Sequence, residues 1–311
     1  MLEDNKVIQF MRFRKPMAIF SLLVVLAGVF SIFTKGLNLG LDFTGGTAVE
    51  LIYAKPVEQI ALQNALEEAG IKDTVVQHLG HATEVLIRMP PQEKSGGEIG
   101  QRVLAAAQFD SNNKATLRQV DSVGSQVGSE LYGNSLLAIA MSLGLMMAYV
   151  AIRFRIKFAV GAVISLLHDT LFTVGIFSMM GWPFDLTVLA AILALIGYSL
   201  NDTIVVFDRI RENFRRLRKA DPIEIVDISL TETLRRTIMT VATVVLVVLS
   251  LFFLGGNALK WFSVAMLVGL FAGTYSSIYI ATSYALMMGL NKEDLMVVVK
   301  PEFVEEGEIL P

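Results

Sequence analysis

Residues 185–218 read DLTVLAAILALIGYSLNDTIVVFDRIRENFRRLR, and for about 23 of them the chain is apolar enough to cross the ~30 Å hydrocarbon core of a bilayer as a helix. Inside that apolar run stand Asn201 and Asp202. A carboxylate at such depth costs roughly 2.5 kcal/mol or more, so it is expected to face protein or water and is a candidate for proton or ion handling. The rest of the chain has to supply what it faces.

Of 311 residues, 54% are hydrophobic and only 18% charged, with a mean hydropathy of +0.58. That excludes an ordinary soluble domain and implies a polytopic α-helical membrane protein. Without cysteine there are neither disulfides nor thiolate metal sites, and an oxidising compartment is tolerated. The net charge of −3 carries little information, because in a membrane the placement of charge matters more than its sum.

Residues 1–15 carry Lys6, Arg12, Arg14 and Lys15 and precede an apolar run at 16–34. The run is longer than a signal-peptide core and lacks a small-residue cleavage site, so it reads as a retained first span with a cytoplasmic N-terminus. Residues 35–134 are soluble in character. Strand-like runs at 47–54, 74–80, 82–89 and 115–123 and helical patterns at 57–69 and 99–109, with the turn PPQEKSGG at 90–97, give the order β-α-β-β-α-β. That order predicts a ferredoxin-like α+β domain between the first and second spans.

Five further apolar runs, at about 135–152, 158–180, 185–207, 238–255 and 262–289, bring the spans to six and place both termini on one side. The loop after the second span holds Arg153, Arg155 and Lys157. The segment between the fourth and fifth holds Arg209, Arg211, Arg215, Arg216, Arg218, Lys219, Arg235 and Arg236, whereas the short loops on the other face offer only Lys260. The bias puts the basic loops in the cytoplasm and the β-rich domain outside it. Residues 290–311 form an acidic tail, expected on the cytoplasmic side.

Small residues at every fourth position mark helix contacts: Gly269, Gly273, Ser277, Ala281, Ala285 and Gly289 in the last span, and Gly161, Ser165, Asp169 and Thr173 in the third. The second stripe is polar and is expected to face the bundle.

Ionisable groups inside the spans are few. Asp202, balanced between burial and a nearby guanidinium, is placed to take up and release a proton, or else makes a static contact with Asn201 or another helix. Arg236, at the cytoplasmic entry of the fifth span, is within its reach if the side chain points inward; a basic residue there also fits one that snorkels to the surface. His168 and Asp169 project about 100° apart and serve either a relay or interhelical packing. His78 and His81 read as surface residues of the outer domain, and no metal site is expected. At the exit of the first span, GLDFTGGT (40–47) reads as a tight turn, with Asp42, Gly45 and Gly46 as a hinge between membrane and domain.

GLDFTGGT, RMPP (88–91), the His168–Asp169 pair, GYSLNDTIVVFDRIRENFR (197–215) and TLRRT (233–237), in this order and spacing, resemble the SecD/SecF family of protein-export membrane proteins, on its SecF side, within the RND superfamily. The long run from Gly197 is the specific element. The resemblance covers nearly the whole chain and implies an RND-like half bundle in the bacterial inner membrane with a periplasmic domain. It also implies a complex with SecD, association with the SecYEG channel, and use of the proton motive force to assist a translocating preprotein after the ATP-driven motor SecA. Asp202 and Arg236 fall at the matching positions of the family's proton-relay carboxylate and arginine. Protons would be the coupling ion, with no other cofactor, no nucleic acid and no enzymatic activity.

Three rivals remain at this level. Asp169 and Asp202 on neighbouring spans suggest an intramembrane aspartyl protease dyad, although they lie at different depths. An RND-type small-molecule exporter would carry a similar relay, and a passive scaffold would need none.

Overall fold

The computed structural model describes residues 7–79, 81–91, 96–153, 156–217 and 219–289, so the acidic tail, the first six residues and the middle of the 90–97 turn lie outside the described residues. A short 3-10 turn, Phe10–Phe13, leads into α1 (Arg14–Lys35). Then follow β1 (Asn38–Leu39), α2 (Leu41–Thr44), β2 (Gly46–Tyr53), α3 (Gln59–Glu68), β3 (Val75–His78), β4 (Glu84–Met89), α4 (Gly96–Ala107) and β5 (Ala115–Val123). The chain continues as α5 (Ser125–Arg153), α6 (Ile156–Met180), β6 (Pro183–Phe184), α7 (Leu186–Arg216), α8 (Pro222–Leu254), α9 (Gly256–Ser276), a π-helical turn at Ser277–Ala281, and α10 (Thr282–Met287).

Six helical stretches among the described residues are long and apolar enough to cross a membrane. Several outrun the apolar segments that announce them. α5 starts at Ser125 and not near 135, α7 runs on to Arg216 past 207, and α8 begins at Pro222 and not at 238. No proline interrupts the polar ends. The one strong stop is Asp221-Pro222, where Asp221 accepts from the Ile223 amide at 3.2 Å and proline takes the first helical position. The basic segment expected between two spans is therefore mostly helical, and residues 217–221 alone join α7 to α8. Glu232 clamps that hairpin, accepting from Arg209 Nε at 2.7 Å, Asn213 Nδ2 at 2.7 Å and Arg216 Nη2 at 3.1 Å.

The small-residue stripes do bring backbones together. A Cβ on Gly161 would lie 2.7 Å from the carbonyl oxygen of Ala281 in the last span's stripe, and, outside both stripes, one on Gly28 of α1 would lie 2.8 Å from Gly175 Cα of α6. Ser165, Asp169 and Thr173 are buried, as the polar stripe requires. In the last span the stripe is not carried by one regular helix. The π turn shifts the register at Ser277, whose hydroxyl meets Thr203 of α7 at 2.9 Å. α5 and α8 leave most of their apolar surface uncovered by the rest of the chain.

Between α1 and α5 lies a four-stranded antiparallel sheet in the order β3-β4-β2-β5. α3 and α4 cover one face, and Val49, Leu51, Val85 and Ile87 pack against Leu62, Leu66 and Val103 in a core separate from that of the bundle. The alternation of β2 explains this, because odd-numbered residues face the helices and Ala48 and Glu50 face the other way. Leu62 is wholly buried there, so Leu62→Ala should cost about 2–5 kcal/mol. Limited proteolysis should then cut the domain while the spans remain intact.

The open face of the sheet looks onto the mouth of the bundle across a cavity of about 780 Å³, lined on one side by Glu50, Gln77 and Arg88 and on the other by Trp182, Asp185 and Trp261. One parallel pair of short strands, β1 with β6, closes the seam. Arg88 of the RMPP segment spans it, donating to the Leu39 carbonyl at 2.9 Å, Asn38 Oδ1 at 2.9 Å and Gln77 Oε1 at 2.7 Å. Burial pulls this guanidinium below the usual arginine value. His78 also lines the cavity, so it is not the open-surface residue its sequence context suggests, whereas His81 is exposed.

Candidate functional site

α7 positions the central carboxylate, and two other carboxylates hold its first turn. Asp185 Oδ1 accepts from the amides of Thr187 at 2.9 Å and Val188 at 3.0 Å, and Asp42 Oδ2 accepts from Leu186 N at 3.1 Å. Negative charge at a helix N-terminus satisfies otherwise orphaned amides and complements the helix dipole. Asp42 is thus more than part of a turn. It bonds the exit of the first span directly to the helix that carries Asp202.

Asp202 is buried, with 9% of its surface accessible. Its Oδ1 accepts from Thr237 Oγ1 of α8 at 2.7 Å, and its Oδ2 is enclosed without a hydrogen-bond partner. A buried carboxylate with one bare oxygen is under-compensated as an anion. A proton, or a donor brought alongside, would complete it. Arg236 makes no ion pair with Asp202 here. Its side chain is exposed on α8, while the next residue, Thr237, makes the contact. Asn201 is exposed on α7 and is not a partner of Asp202. Thr237 was legible only as the last letter of TLRRT, because a threonine among apolar residues gives no signal of its own.

A second polar cluster sits between α1, α6, α7 and the last span. His168 Nδ1 lies 3.0 Å from Asp169 Oδ1, and His168 Nε2 lies 2.5 Å from Ser21 Oγ. Asp169 Oδ2 accepts from Ser199 Oγ at 2.5 Å and Ser276 Oγ at 2.9 Å. The adjacent pair does face different helices, yet the two side chains also curl onto each other. The serines were missed for the same reason as Thr237. Asp169 and Asp202 share no hydrogen bond: one is engaged by His168, Ser199 and Ser276, the other by Thr237. They do not form the shared-proton pair that an aspartyl protease needs.

The hinge motif is packed hard. A Cβ on Gly45 would lie 2.8 Å from Ser125 Cα where α5 begins, and one on Gly46 would lie 2.3 Å from the Met89 carbonyl oxygen at the end of β4. Both glycines have positive φ, 66° and 116°. Among the described residues no group of three or more His, Asp or Glu side chains is placed to hold a metal ion.

Fold and site together define a polytopic helical membrane protein with ionisable groups buried in its bundle and one α+β domain inserted between its first two spans. Residues 103–291 match the model of the C-terminal region of the protein-export membrane proteins SecD/SecF, and residues 30–57 match the SecD/SecF GG motif. The chain is 44% identical to the protein translocase subunit SecF of Vibrio alginolyticus, over 98% of this chain and 96% of that one. It is 48% identical to that of Pseudomonas aeruginosa, over 93% and 94%. The chain belongs to the SecD/SecF family.

The crystal structure of SecDF from Thermus thermophilus, described as a translocon-associated membrane protein, superposes with a TM-score of 0.83 at 37% identity. The match covers 94% of this chain but 40% of the Thermus chain. A second structure of SecDF, in a super-membrane-facing form, superposes at 0.68 with 38% identity, so the arrangement described here is nearer the first.

Proposed function

We propose that this chain acts as the SecF-type subunit of a SecDF protein translocase in the bacterial inner membrane. In this reading it works with SecD beside the SecYEG channel and draws on the proton motive force to assist the preprotein after SecA. The observation that carries the reading is Asp202, a carboxylate enclosed between α7 and α8 with one oxygen bare. Support for the partner comes from Thermus, where a relative of this chain forms about a third of a single SecDF polypeptide. Both termini and the α7–α8 hairpin lie in the cytoplasm and the ferredoxin-like domain in the periplasm, an orientation supported by Arg209, Arg211, Arg215 and Arg216 at the end of the bundle far from the domain.

A proton entering from the periplasm neutralises Asp202 beside a side chain supplied by SecD and weakens its attraction to Arg236. α7 then shifts. Because Asp42 bonds to the first amide of α7, the shift passes straight to the junction of α1, α5 and the sheet. One charge crossing 100 mV yields ~2.3 kcal/mol, so a proton crossing about 150–200 mV brings several kcal/mol, enough to bias a two-state equilibrium strongly. The test is to purify the chain from native membranes in mild detergent and identify what co-elutes. Recovery of SecD is expected, and its consistent absence would return the exporter reading to first place.

A further inference from the structure

The titratable pair that the mechanism above leaves unused is His168–Asp169, whose side chains are nearly enclosed, 9% and 7% accessible. An ionised Asp169 only accepts hydrogen bonds, so the nitrogen facing it, His168 Nδ1, carries a hydrogen. In a neutral imidazole Nε2 is then an acceptor and takes the Ser21 hydroxyl hydrogen. We propose that this pair is a second proton-binding site of the bundle, apart from Asp202, with His168 Nε2 taking the proton and Ser21 of α1 sensing its arrival. The proposal rests on the proton-driven reading above and adds a residue to it.

The proton balance is simple. One proton adds to the Nε2 lone pair, no bond breaks, and the pair goes from a net charge of −1 to 0. Nε2 becomes a donor to Ser21 Oγ, and the Ser21 hydroxyl hydrogen turns away. Its acceptor there is the Tyr275 hydroxyl, which interacts with Ser21 and itself donates to the Met17 carbonyl one turn earlier on α1. Every donor and acceptor of the pair keeps a partner in both states. In a dry interior that matters, because a site that leaves a polar atom unpaired in one state is locked into the other.

The groups facing the pair leave it free to respond. α1 presents Ser21, α7 presents Ser199, the last span presents Ser276 and the Tyr275 ring at 6.2 Å, and α6 itself adds the Phe172 ring at 5.9 Å. Among the described residues no lysine, arginine or glutamate contacts the pair, and along α7 the next carboxylate is Asp202, three residues beyond Ser199. The sensing helix is also the right one. α1 leads into β1 and is fastened to α6 at its far end by Ser31–Ser178 at 3.0 Å and by Ser178 to the Gly36 carbonyl at 2.8 Å. A changed bond at Ser21 therefore alters the α1–α6 contact on the path to the outer domain.

The test uses the full chain with its partner subunit in liposomes. The chain has three histidines, and a His78→Gln/His81→Gln background, made with nitrogen-labelled histidine and assembled with unlabelled partner subunit, leaves His168 alone for imidazole nitrogen NMR. Expected is conversion from the neutral Nδ1–H form to the imidazolium as pH falls through the range in which a gradient drives export. Asp169→Asn, which takes away the carboxylate that holds the Nδ1 hydrogen, should change that conversion. An imidazole that keeps one form throughout, or converts identically in Asp169→Asn, overturns the proposal. A parallel export assay on Asp202→Asn separates the two readings. Lost export with a silent imidazole removes the second site alone, whereas retained export with a converting imidazole removes the role of Asp202 and leaves the site standing.

Discussion

Asp202→Asn is expected to abolish the gradient-driven part of export and leave the chain folded and bound to its partner. Asparagine keeps the oxygen that accepts from Thr237 Oγ1, so the α7–α8 contact survives. Its amide puts an unpaired buried donor where the bare carboxylate oxygen was, at roughly 1–3 kcal/mol. Removal of an under-compensated buried charge offsets that penalty. What disappears is the proton. Export in reconstituted vesicles should fall to the level seen when the gradient is collapsed, with unchanged recovery of the complex on purification. A variant that exports normally under a gradient would mean that the carboxyl is a packing group and the chain a scaffold.

The second large effect is expected at Gly46. Its φ of 116° is one that L side chains rarely adopt, and an added methyl would sit 2.3 Å from the Met89 carbonyl oxygen. Gly46→Ala should cost roughly 1–3 kcal/mol from the backbone conformation alone, and more from the clash with a main-chain atom that cannot rotate away. Because Gly46 opens β2, the central strand that pairs with both β4 and β5, the strain falls where the sheet joins the membrane. The domain should unfold at lower temperature than the bundle, and export should fail even with Asp202 intact. Gly97→Ala is the control, since nothing lies within 4 Å of an added Cβ there, and it should be close to neutral.

Much of the architecture could be read before any coordinates. Hydrophobic runs long enough for a bilayer marked all six spans, period-two alternation marked β2, and basic residues at one set of loops gave the orientation now proposed. These signals are local, since each depends on residues a few positions apart. Asp202 stood out for a similar reason, as a carboxylate among apolar neighbours is conspicuous at any distance from its partners. Helix ends were less legible, because α7 and α8 continue through polar sequence that hydropathy counts as loop although nothing in it breaks a helix.

The sequence by itself determined that this is a six-span membrane protein with one inserted α+β domain and a costly acid in its fourth span. Only the tertiary structure decided what that acid meets. It put Thr237 and not Arg236 on Asp202, joined Asp42 to the first turn of α7, and gathered Ser21, Ser199 and Ser276 around His168–Asp169. The physical reason is that serine and threonine satisfy themselves on their own helix as readily as they bond across to another. Which of the two they do depends on how closely and in what register the helices pack, and that is settled by glycines such as Gly28 and Gly175, whose partners lie 147 residues apart in the chain but in contact in the fold.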